Sequence, residues 1–340
     1  MASSSEGGAP AAGREVRIGR ELDGERVDRG LARALGISRA AVRRLLDDEA
    51  LSLRAFAGAA AGAARALTLA DKGRPLAAGD VVAVRGAAAP DEQRALAAPE
   101  LALAVLARGP GWIAVDKPAG LPVHPLRPRE RATALGFVAS LRPEVHGVGE
   151  RGLRSGVVHR LDVDTSGALL FATEQRTWER LRSAFARGDV EKRYRALVAG
   201  RVERAETQRF RVAVVRHRPA LVRARPLLAS AREPDDAPRA GTHVAVQRLE
   251  PIACFGDASL VEIRPKTGFL HQIRATLACL GHPVLGDATY GDAATAARAA
   301  RQLLHAAYVR FEEVEAIAPD PADLAAAIER LQAGRGDGAR

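Results

Sequence analysis

Two short helices are predicted near the start of the chain by the spacing of its apolar positions. The first has apolar residues four positions apart, at Val27, Leu31 and Leu35, and Gly36 is suited to end it. The second helix has an apolar face made of Ala41, Val42, Leu45 and Leu46. The opposite face of this second helix carries three arginines, Arg39, Arg43 and Arg44. We expect that basic face to be exposed.

From about residue 101 onward, short apolar runs of strand length alternate with helical patterns. The predicted strands are 112–115, 167–172 and 193–198, and the predicted helices are 133–141 and a helix around Trp178 and Phe185 that ends at Gly188. The order lacks the regular strand-helix-strand rhythm of a parallel sheet. It therefore predicts an α+β domain built on an antiparallel or mixed sheet.

Composition shifts along the chain predict its division into domains. We expect a disordered leader at 1–13, a small α/β unit at 14–86, an Ala- and Pro-rich linker at 87–100, a larger α+β domain at 101–315, and a C-terminal helix and tail at 316–340. No apolar run has membrane-spanning length, and residues 1–13 lack the apolar segment of a secretion signal. We expect a cytoplasmic protein with no membrane partner.

The charge of the chain favours a polyanionic partner. The 340 residues include 51 basic and 41 acidic side chains, a formal net charge of +10, and only four of the basic residues are lysine. Arginine binds phosphates bidentately and stacks on bases, so nucleic acid is the partner that this surplus favours. A genome biased towards arginine would explain why arginine is used in place of lysine, but not the surplus of basic over acidic residues. The two cysteines, Cys254 and Cys279, suggest neither a disulfide framework nor a zinc site.

The segment HRLDVDTSG at 159–167 places oxygen ligands at alternate positions, as a calcium loop does. An EF-hand loop also requires a glutamate at its twelfth position and flanking helices, but Thr173 stands there and an apolar strand follows. We therefore expect no metal. Turn geometry explains Asp164, whose side chain can bond the backbone. It does not explain Asp162, a carboxylate at the edge of a predicted apolar strand.

A positively charged partner for Asp162 is predicted more than a hundred residues downstream. Leu270, Ile273, Leu277 and Leu280 predict one face of a helix capped by Thr267, and Arg274 lies at the margin of that face. A guanidinium turned towards a core requires a carboxylate. Pairing would keep Asp162 ionised, as a nucleophile or base must be. A purely structural ion pair is the alternative.

Several motifs, in this order and spacing, resemble those of the RluA-type pseudouridine synthase family. They are DKPAGL at 116–121, HP at 124–125, HRLD at 159–162 with TSG at 165–167, KRYRALVAG at 192–200, TG at 267–268, HQIR at 271–274, GHP at 281–283, GD at 286–287, YG at 290–291 and LHA at 304–306. The match extends from about residue 101 to 311. The unit before it, with its two short helices, resembles an S4-like RNA-binding domain. The family pattern commonly has an arginine where this chain has Phe269.

The resemblance implies a pseudouridine synthase fold, an activity and a set of roles. Asp162 would be the catalytic aspartate, Arg274 its ion-pair partner and Tyr194 the ring that stacks on the target base. Arg160 would help to fill the space left by the displaced nucleotide, and Ile273 would line the pocket. The matched motifs also imply substrate contacts by His159, Thr165, Lys192 and His271.

The function that the family resemblance implies is isomerisation of specific uridines in structured RNA to pseudouridine, without metal or cofactor. Ribosomal large-subunit RNA is the expected substrate and transfer RNA is the alternative. Arg39, Arg43 and Arg44 are predicted to bind RNA. We expect a monomer. An RNA-binding protein that has lost activity and a glycosidase with two carboxylates are the rival interpretations.

Overall fold

The structure is a computed structural model, and it describes residues 14–37, 39–56, 64–85, 94–127, 130–150, 152–217, 219–227 and 241–336. The predicted leader at 1–13 and the first half of the predicted linker, 87–93, lie outside these residues. The chain divides into two compact units, Met1–Gln93 and Arg94–Arg340. Within the described ranges, no helix is long and apolar enough to cross a membrane.

The first unit packs two helices on a small antiparallel sheet. Its elements are β1 (Arg14–Arg17), α1 (Val27–Leu35), α2 (Arg39–Asp47), β2 (Leu51–Arg54), β3 (Ala64–Leu67) and β4 (Val81–Val84). The strand order is β1-β4-β2-β3. Both predicted helices are confirmed, and Gly36 ends α1 in the left-handed conformation with φ 67°. The apolar faces of the two helices meet in one core that includes Leu31, Val42 and Leu46.

The second unit is built on one mixed sheet. Its strands are β5 (Val105–Gly109), β6 (Trp112–Lys117), β7 (Ser166–Ala172), β8 (Glu191–Ala199), β9 (Glu206–His217), β10 (Ala220–Pro226), β11 (Thr242–Phe255), β12 (Ala258–Pro265), β13 (Leu304–Phe311) and β14 (Val314–Ile317). The order is β10-β9-β11-β12-β8-β13-β7-β6-β5, and β14 pairs with β13. Between described strands, only β13 and β7 run parallel. The α+β class with a mixed sheet is confirmed.

Helices cover both faces of this sheet. They are α3 (Ala134–Leu141), α4 (Gln175–Arg187), α5 (Gln272–Cys279), α6 (Ala293–Ala296) and α7 (Ala322–Gly336). Thr133 begins α3 because its hydroxyl accepts a hydrogen bond from the Gly136 amide. Gly188 ends α4 in the left-handed conformation. The predicted helices at 133–141 and before Gly188 are therefore confirmed.

The prediction for the start of α5 was wrong. Thr267 does not cap this helix, which begins at Gln272 and has His271 as its N-cap residue. The hydroxyl of Thr267 instead accepts a hydrogen bond from the Val246 amide on β11 and contacts Gln272 Oε1. Leu270 consequently lies outside the helix and packs against a separate cluster that includes Phe210.

Strand β7 is the central support of the site, and all seven of its residues are buried. Leu169 and Phe171 face the cluster that contains α3, whereas Leu170 and Ala172 face the cluster that contains α4. A strand buried on both faces needs apolar residues at every position rather than at alternate ones, which explains the continuous run in the sequence. The turn immediately before β7 is thus attached to a rigid element.

Replacement of Gly167 by alanine should destabilise the second unit more than an equivalent replacement elsewhere. Gly167 has φ 116°, and an added Cβ would lie 2.2 Å from the Ala306 carbonyl oxygen on β13. Gly147 has a positive φ of 83° but open space around it. We expect Gly147→Ala to cost about 1–2 kcal/mol from backbone strain. Gly167→Ala should cost about 1–3 kcal/mol more from the clash.

The measurement is the free energy of unfolding of the two variants in denaturant. Equal losses for Gly147→Ala and Gly167→Ala would show that β13 moves away from β7 without cost, contrary to this packing.

Candidate active site

Asp162 lies in the turn that leads into β7. The turn is closed by a hydrogen bond from the Thr165 amide to the Asp162 carbonyl, with 3.1 Å between the two atoms. The Asp162 side chain keeps 22% of its surface exposed. A strand follows the turn, where an EF-hand loop would be followed by a helix. The carboxylate is therefore held at the edge of the core and remains accessible to a ligand.

Arg274 joins Asp162 to a second carboxylate, that of Asp287. Its Nη1 donates to Asp162 Oδ2 at 3.0 Å. Its Nε and Nη2 donate to the two oxygens of Asp287 at 2.7 and 2.8 Å. The predicted pairing of Asp162 with Arg274 is therefore present in the fold, across 112 positions of the chain.

The environment of Arg274 keeps its guanidinium charged. Only 7% of the side chain is exposed, and the Asp287 side chain has no exposed surface. Burial alone would lower the pKa of Arg274, but the hydrogen bonds and charges of Asp287 and Asp162 outweigh burial and raise it. Asp287 also accepts hydrogen bonds from the amides of Thr289 and Tyr290. Asp287 is thus fixed, and it orients Arg274 towards Asp162.

Asp287 was not among the residues predicted for the site. The only signal for it in the sequence was the Gly286-Asp287 pair within a matched motif. Its role depends on α5 and the segment after it lying together, which no local pattern of the sequence reveals.

Tyr194 on β8 is half-buried between two core clusters. It packs against the cluster that contains Leu161 and against the cluster that contains Ile273, which is itself buried. Burial raises the pKa of the Tyr194 phenol, and the charge of Asp162 raises it further. The ring is therefore neutral at physiological pH, and it lies within electrostatic reach of the Asp162 carboxylate.

The turn of Asp162 is also fixed from the side of β6. Lys117 has no exposed surface, and its ammonium donates to the carbonyls of Pro118, Leu121 and Val163 at 2.8 to 2.9 Å. The Gly120 amide donates to the same Val163 carbonyl at 3.0 Å. Lys117 lies in a matched motif but was not predicted as a site residue. It holds the residue next to Asp162 by contacts to backbone, which residue types alone do not indicate.

Two of the predicted substrate-contact residues, the half-buried His159 and the buried Lys192, bond within the fold. The Nε2 atom of His159 accepts a hydrogen bond from the Leu170 amide, and the ring stacks on Phe185 with 4.7 Å between centroids. Burial lowers the pKa of His159 to about 3, so the ring is neutral. Lys192 is buried and donates to the Thr267 carbonyl. Both residues support β7 and the segment before α5.

The other predicted contacts are Arg160, Thr165 and His271. Arg160 is exposed, and within the described ranges its guanidinium has no hydrogen-bond partner. Thr165 is buried, and its hydroxyl accepts a hydrogen bond from Gln302. His271 has a positive φ of 50°, a strained conformation for a residue other than glycine, and its Nδ1 lies 3.0 Å from the Tyr290 hydroxyl.

The three arginines predicted to bind RNA lie on α2 in the first unit. Two of them, Arg39 and Arg43, donate to the carboxylate of Asp28, which has no exposed surface. Burial would raise the pKa of Asp28, but hydrogen bonds from these arginines and the charge of Arg26 lower it to about 2. The side chains of Arg39 and Arg43 are still about half exposed, at 53% and 50%. Asp28 therefore arranges part of this basic face without covering it.

Comparison with known proteins gives consistent matches. The family of RNA pseudouridylate synthases matches residues 111–279. An uncharacterized RNA pseudouridine synthase of Mycobacterium bovis is 33% identical over 96% of this chain and 100% of its own length. The ribosomal large subunit pseudouridine synthase D of Xanthomonas campestris is 31% identical over 71% of this chain and 73% of its own. The transfer RNA pseudouridine synthase C of Vibrio cholerae is 32% identical over 58% of this chain and 81% of its own.

The fold has a counterpart among solved structures. A human protein described as RNA pseudouridylate synthase domain containing 4 superposes with a TM-score of 0.53 over 67% of this chain and 92% of its own, at 21% identity. At this level of identity the likeness concerns the fold alone.

Replacement of Asp287 by asparagine should strongly destabilise the second unit. The change leaves the buried Arg274 guanidinium with one carboxylate in place of two, and loss of one partner of a buried ion pair typically costs about 3–5 kcal/mol. The matched control is Asp257→Asn, which removes an acid that is 80% exposed from its pair with Arg298. The control should cost no more than about 1 kcal/mol. Unfolding in denaturant measures both, and similar losses would contradict a central role for Asp287.

Proposed function

The chain belongs to the RluA-type family of RNA pseudouridine synthases, and we propose that Asp162 is the residue with which it isomerises uridine. Membership of this family makes it an isomerase that converts uridine to pseudouridine in RNA. The observation that supports Asp162 is the geometry around Arg274. Of the two carboxylates on that guanidinium, Asp287 is fully enclosed and only Asp162 is exposed. A nucleotide can therefore reach only one of them.

The reaction itself defines what such a site must supply. The bond between N1 of uracil and C1′ of ribose breaks, the base turns, and a bond forms between C5 and C1′. The hydrogen at C5 is lost and N1 gains one, so no electrons enter or leave. An ionised Asp162 can attack C1′, add to the uracil ring or remove a sugar proton, and each of these routes requires the carboxylate beside the glycosidic bond. Arg274 would hold this carboxylate in a fixed orientation.

The target uridine must leave its stack to reach Asp162. Extraction costs a few kcal/mol, and stacking on an aromatic ring returns about 1–3 kcal/mol per base. Tyr194 is suited to this contact because its neutral ring lies beside apolar Ile273 and close to the Asp162 charge. Arg160 is exposed without a described partner, which suits a residue that fills the gap left in the RNA.

The first unit is proposed to bind RNA in the manner of an S4-like domain, through Arg39, Arg43 and Arg44. The pairs with Asp28 restrict where the first two guanidinium groups point, while half of each side chain stays open to phosphate. Such contacts set affinity and position without reading bases. An S4-like unit favours ribosomal large-subunit RNA as substrate, with transfer RNA as the alternative.

Replacement of Asp162 by asparagine should abolish pseudouridine formation and leave RNA binding intact. The amide keeps the size of the side chain but provides no negative charge for any of the three routes. The matched control is Asp164→Asn, on the same turn, where the side chain is exposed. We expect that control to lose less than about tenfold in rate, because the hydrogen bonds among the described residues hold the Asp164 carbonyl and not its side chain. Assays of tritium release from C5 and of RNA binding measure the two effects. Product formation by Asp162→Asn at the unaltered rate would rule out the assignment.

Pseudouridine mapping in total RNA should identify the substrate. In cells without the gene, we expect at least one uridine of large-subunit ribosomal RNA to lose its modification. Expression of the unaltered chain should restore it, and expression of Asp162→Asn should not. Loss confined to transfer RNA would support the alternative substrate.

A further inference from the structure

Arg301, in the segment between α6 and β13, holds the turn of Asp162 from the side opposite Lys117. Only 11% of its side chain is exposed. Its Nη1 donates to the Asp164 carbonyl at 3.0 Å, and its Nη2 donates to the Ser166 hydroxyl at 3.3 Å. These two acceptors lie two and four residues beyond Asp162, so the guanidinium spans the end of the turn.

The same guanidinium is fixed in place by α7. Its Nε and Nη2 donate to the two oxygens of Asp323 at 2.6 and 2.8 Å. A bidentate pair of this kind fixes the plane of the guanidinium as well as its distance. Asp323 in turn accepts a hydrogen bond from the Leu324 amide at 2.8 Å. Leu324 has no exposed surface and packs with Leu285 and Leu303, so α7 gives Asp323 a defined position.

The backbone of Arg301 also packs against the segment that carries Asp287. A Cβ at Gly286 would lie 1.9 Å from the Arg301 carbonyl oxygen, so the two segments pack as closely as glycine permits. Gly286 is the residue before Asp287, which orients Arg274. Arg301 therefore lies between the turn that carries Asp162 and the segment that carries Asp287.

From these contacts we propose that Asp323, acting through Arg301, is a positioning residue for Asp162, and that α7 is part of the catalytic apparatus. The proposal rests on Asp162 being the catalytic residue. Without the Asp323 carboxylate, Arg301 Nη1 keeps its bonds to the Gln302 and Leu304 carbonyls, but the plane of the guanidinium is no longer fixed. Its bonds to the Asp164 carbonyl and the Ser166 hydroxyl are then loosened. The Asp162 carboxylate then loses one of the two clamps on its turn, while its bond to Arg274 remains.

The test compares Asp323→Asn with the unaltered full-length chain on RNA transcripts. Displacement of a reacting group by about 1 Å can lower a rate by as much as about a hundredfold, so a partial loosening should lower kcat by about 5- to 50-fold. KM and the dissociation constant for RNA should change less than about twofold, because the proposal gives Asp323 and Arg301 a role in positioning Asp162 and none in binding the substrate. Asp323→Glu, which keeps a carboxylate, should recover much of kcat.

Asp320→Asn is the matched control for loosening of α7. Asp320 pairs with Arg195 on β8 and so fastens the start of the same segment, but it makes no described hydrogen bond to the turn of Asp162. We expect Asp320→Asn to keep kcat within about twofold, at a thermal midpoint equal to or below that of Asp323→Asn.

Several outcomes would overturn the proposal. They are an unchanged kcat in Asp323→Asn, an equal loss of kcat in Asp320→Asn, a loss that appears in KM alone, and no recovery in Asp323→Glu. Asp162→Asn is measured in the same series. If Asp162→Asn is inactive and Asp323→Asn is unaffected, only the positioning role fails. If Asp162→Asn is active, the proposed function fails and the positioning role fails with it.

Discussion

The arrangement of this site depends on one buried guanidinium shared between two carboxylates of unequal exposure. Removal of an arginine from water costs several kcal/mol, which only close and well-directed anions can offset. Asp287 provides two of these contacts and is itself fixed by the amides of Thr289 and Tyr290. The remaining donor of Arg274 is thereby directed at Asp162. Because the enclosed Asp287 fixes Arg274, it also orients the exposed Asp162.

The sheet gives the turn that carries Asp162 a rigid support. Because β7 is buried on both faces, it cannot shift without disrupting two cores, and the turn before it inherits that rigidity. Cationic side chains hold the backbone of the turn from both sides, Lys117 at the Val163 carbonyl and Arg301 at the Asp164 carbonyl. The Asp162 carboxylate, on the residue just before these two carbonyls, is therefore positioned by contacts to the backbone of its turn as well as by Arg274.

The sequence allowed prediction of the elements with regular patterns and of one long-range pair. Apolar spacing in the sequence predicts the helices α1 and α2, and a continuous apolar run predicts β7. The pairing of Asp162 with Arg274 could also be predicted, because a buried charge requires a partner of opposite charge. Asp287, Lys117 and Arg301 were missed as site residues for a shared reason. Each acts through hydrogen bonds to backbone or to a distant segment, and such contacts impose no period on the chain.

For two predictions made from residue type, the structure shows a hydrogen-bond partner that was not foreseen. The hydroxyl of Thr267 was expected to cap α5, but the Val246 amide on β11 required an acceptor, and the helix begins five residues later. Arg39 and Arg43 were expected on an exposed face, and they are there, but they also neutralise Asp28. An acidic residue within a predicted helix is interpreted as a surface residue unless its partners on the next helix are known.

The charges around Asp162 are of both signs, which limits the ligands that suit the site. Asp162, Asp287 and Arg274 together carry one negative charge, and the buried Lys117 lies close enough to Asp162 to offset part of it. The Tyr194 phenol stays neutral because burial raises its pKa. Burial also lowers the pKa of His271, so that ring adds no positive charge at neutral pH. Such a site suits an uncharged base better than a phosphate. RNA backbone must then be met by cations at the rim, where Arg160 is exposed. The electrostatics thus favour a uracil at Asp162 with its phosphates outside, which is the arrangement that isomerisation at C1′ requires.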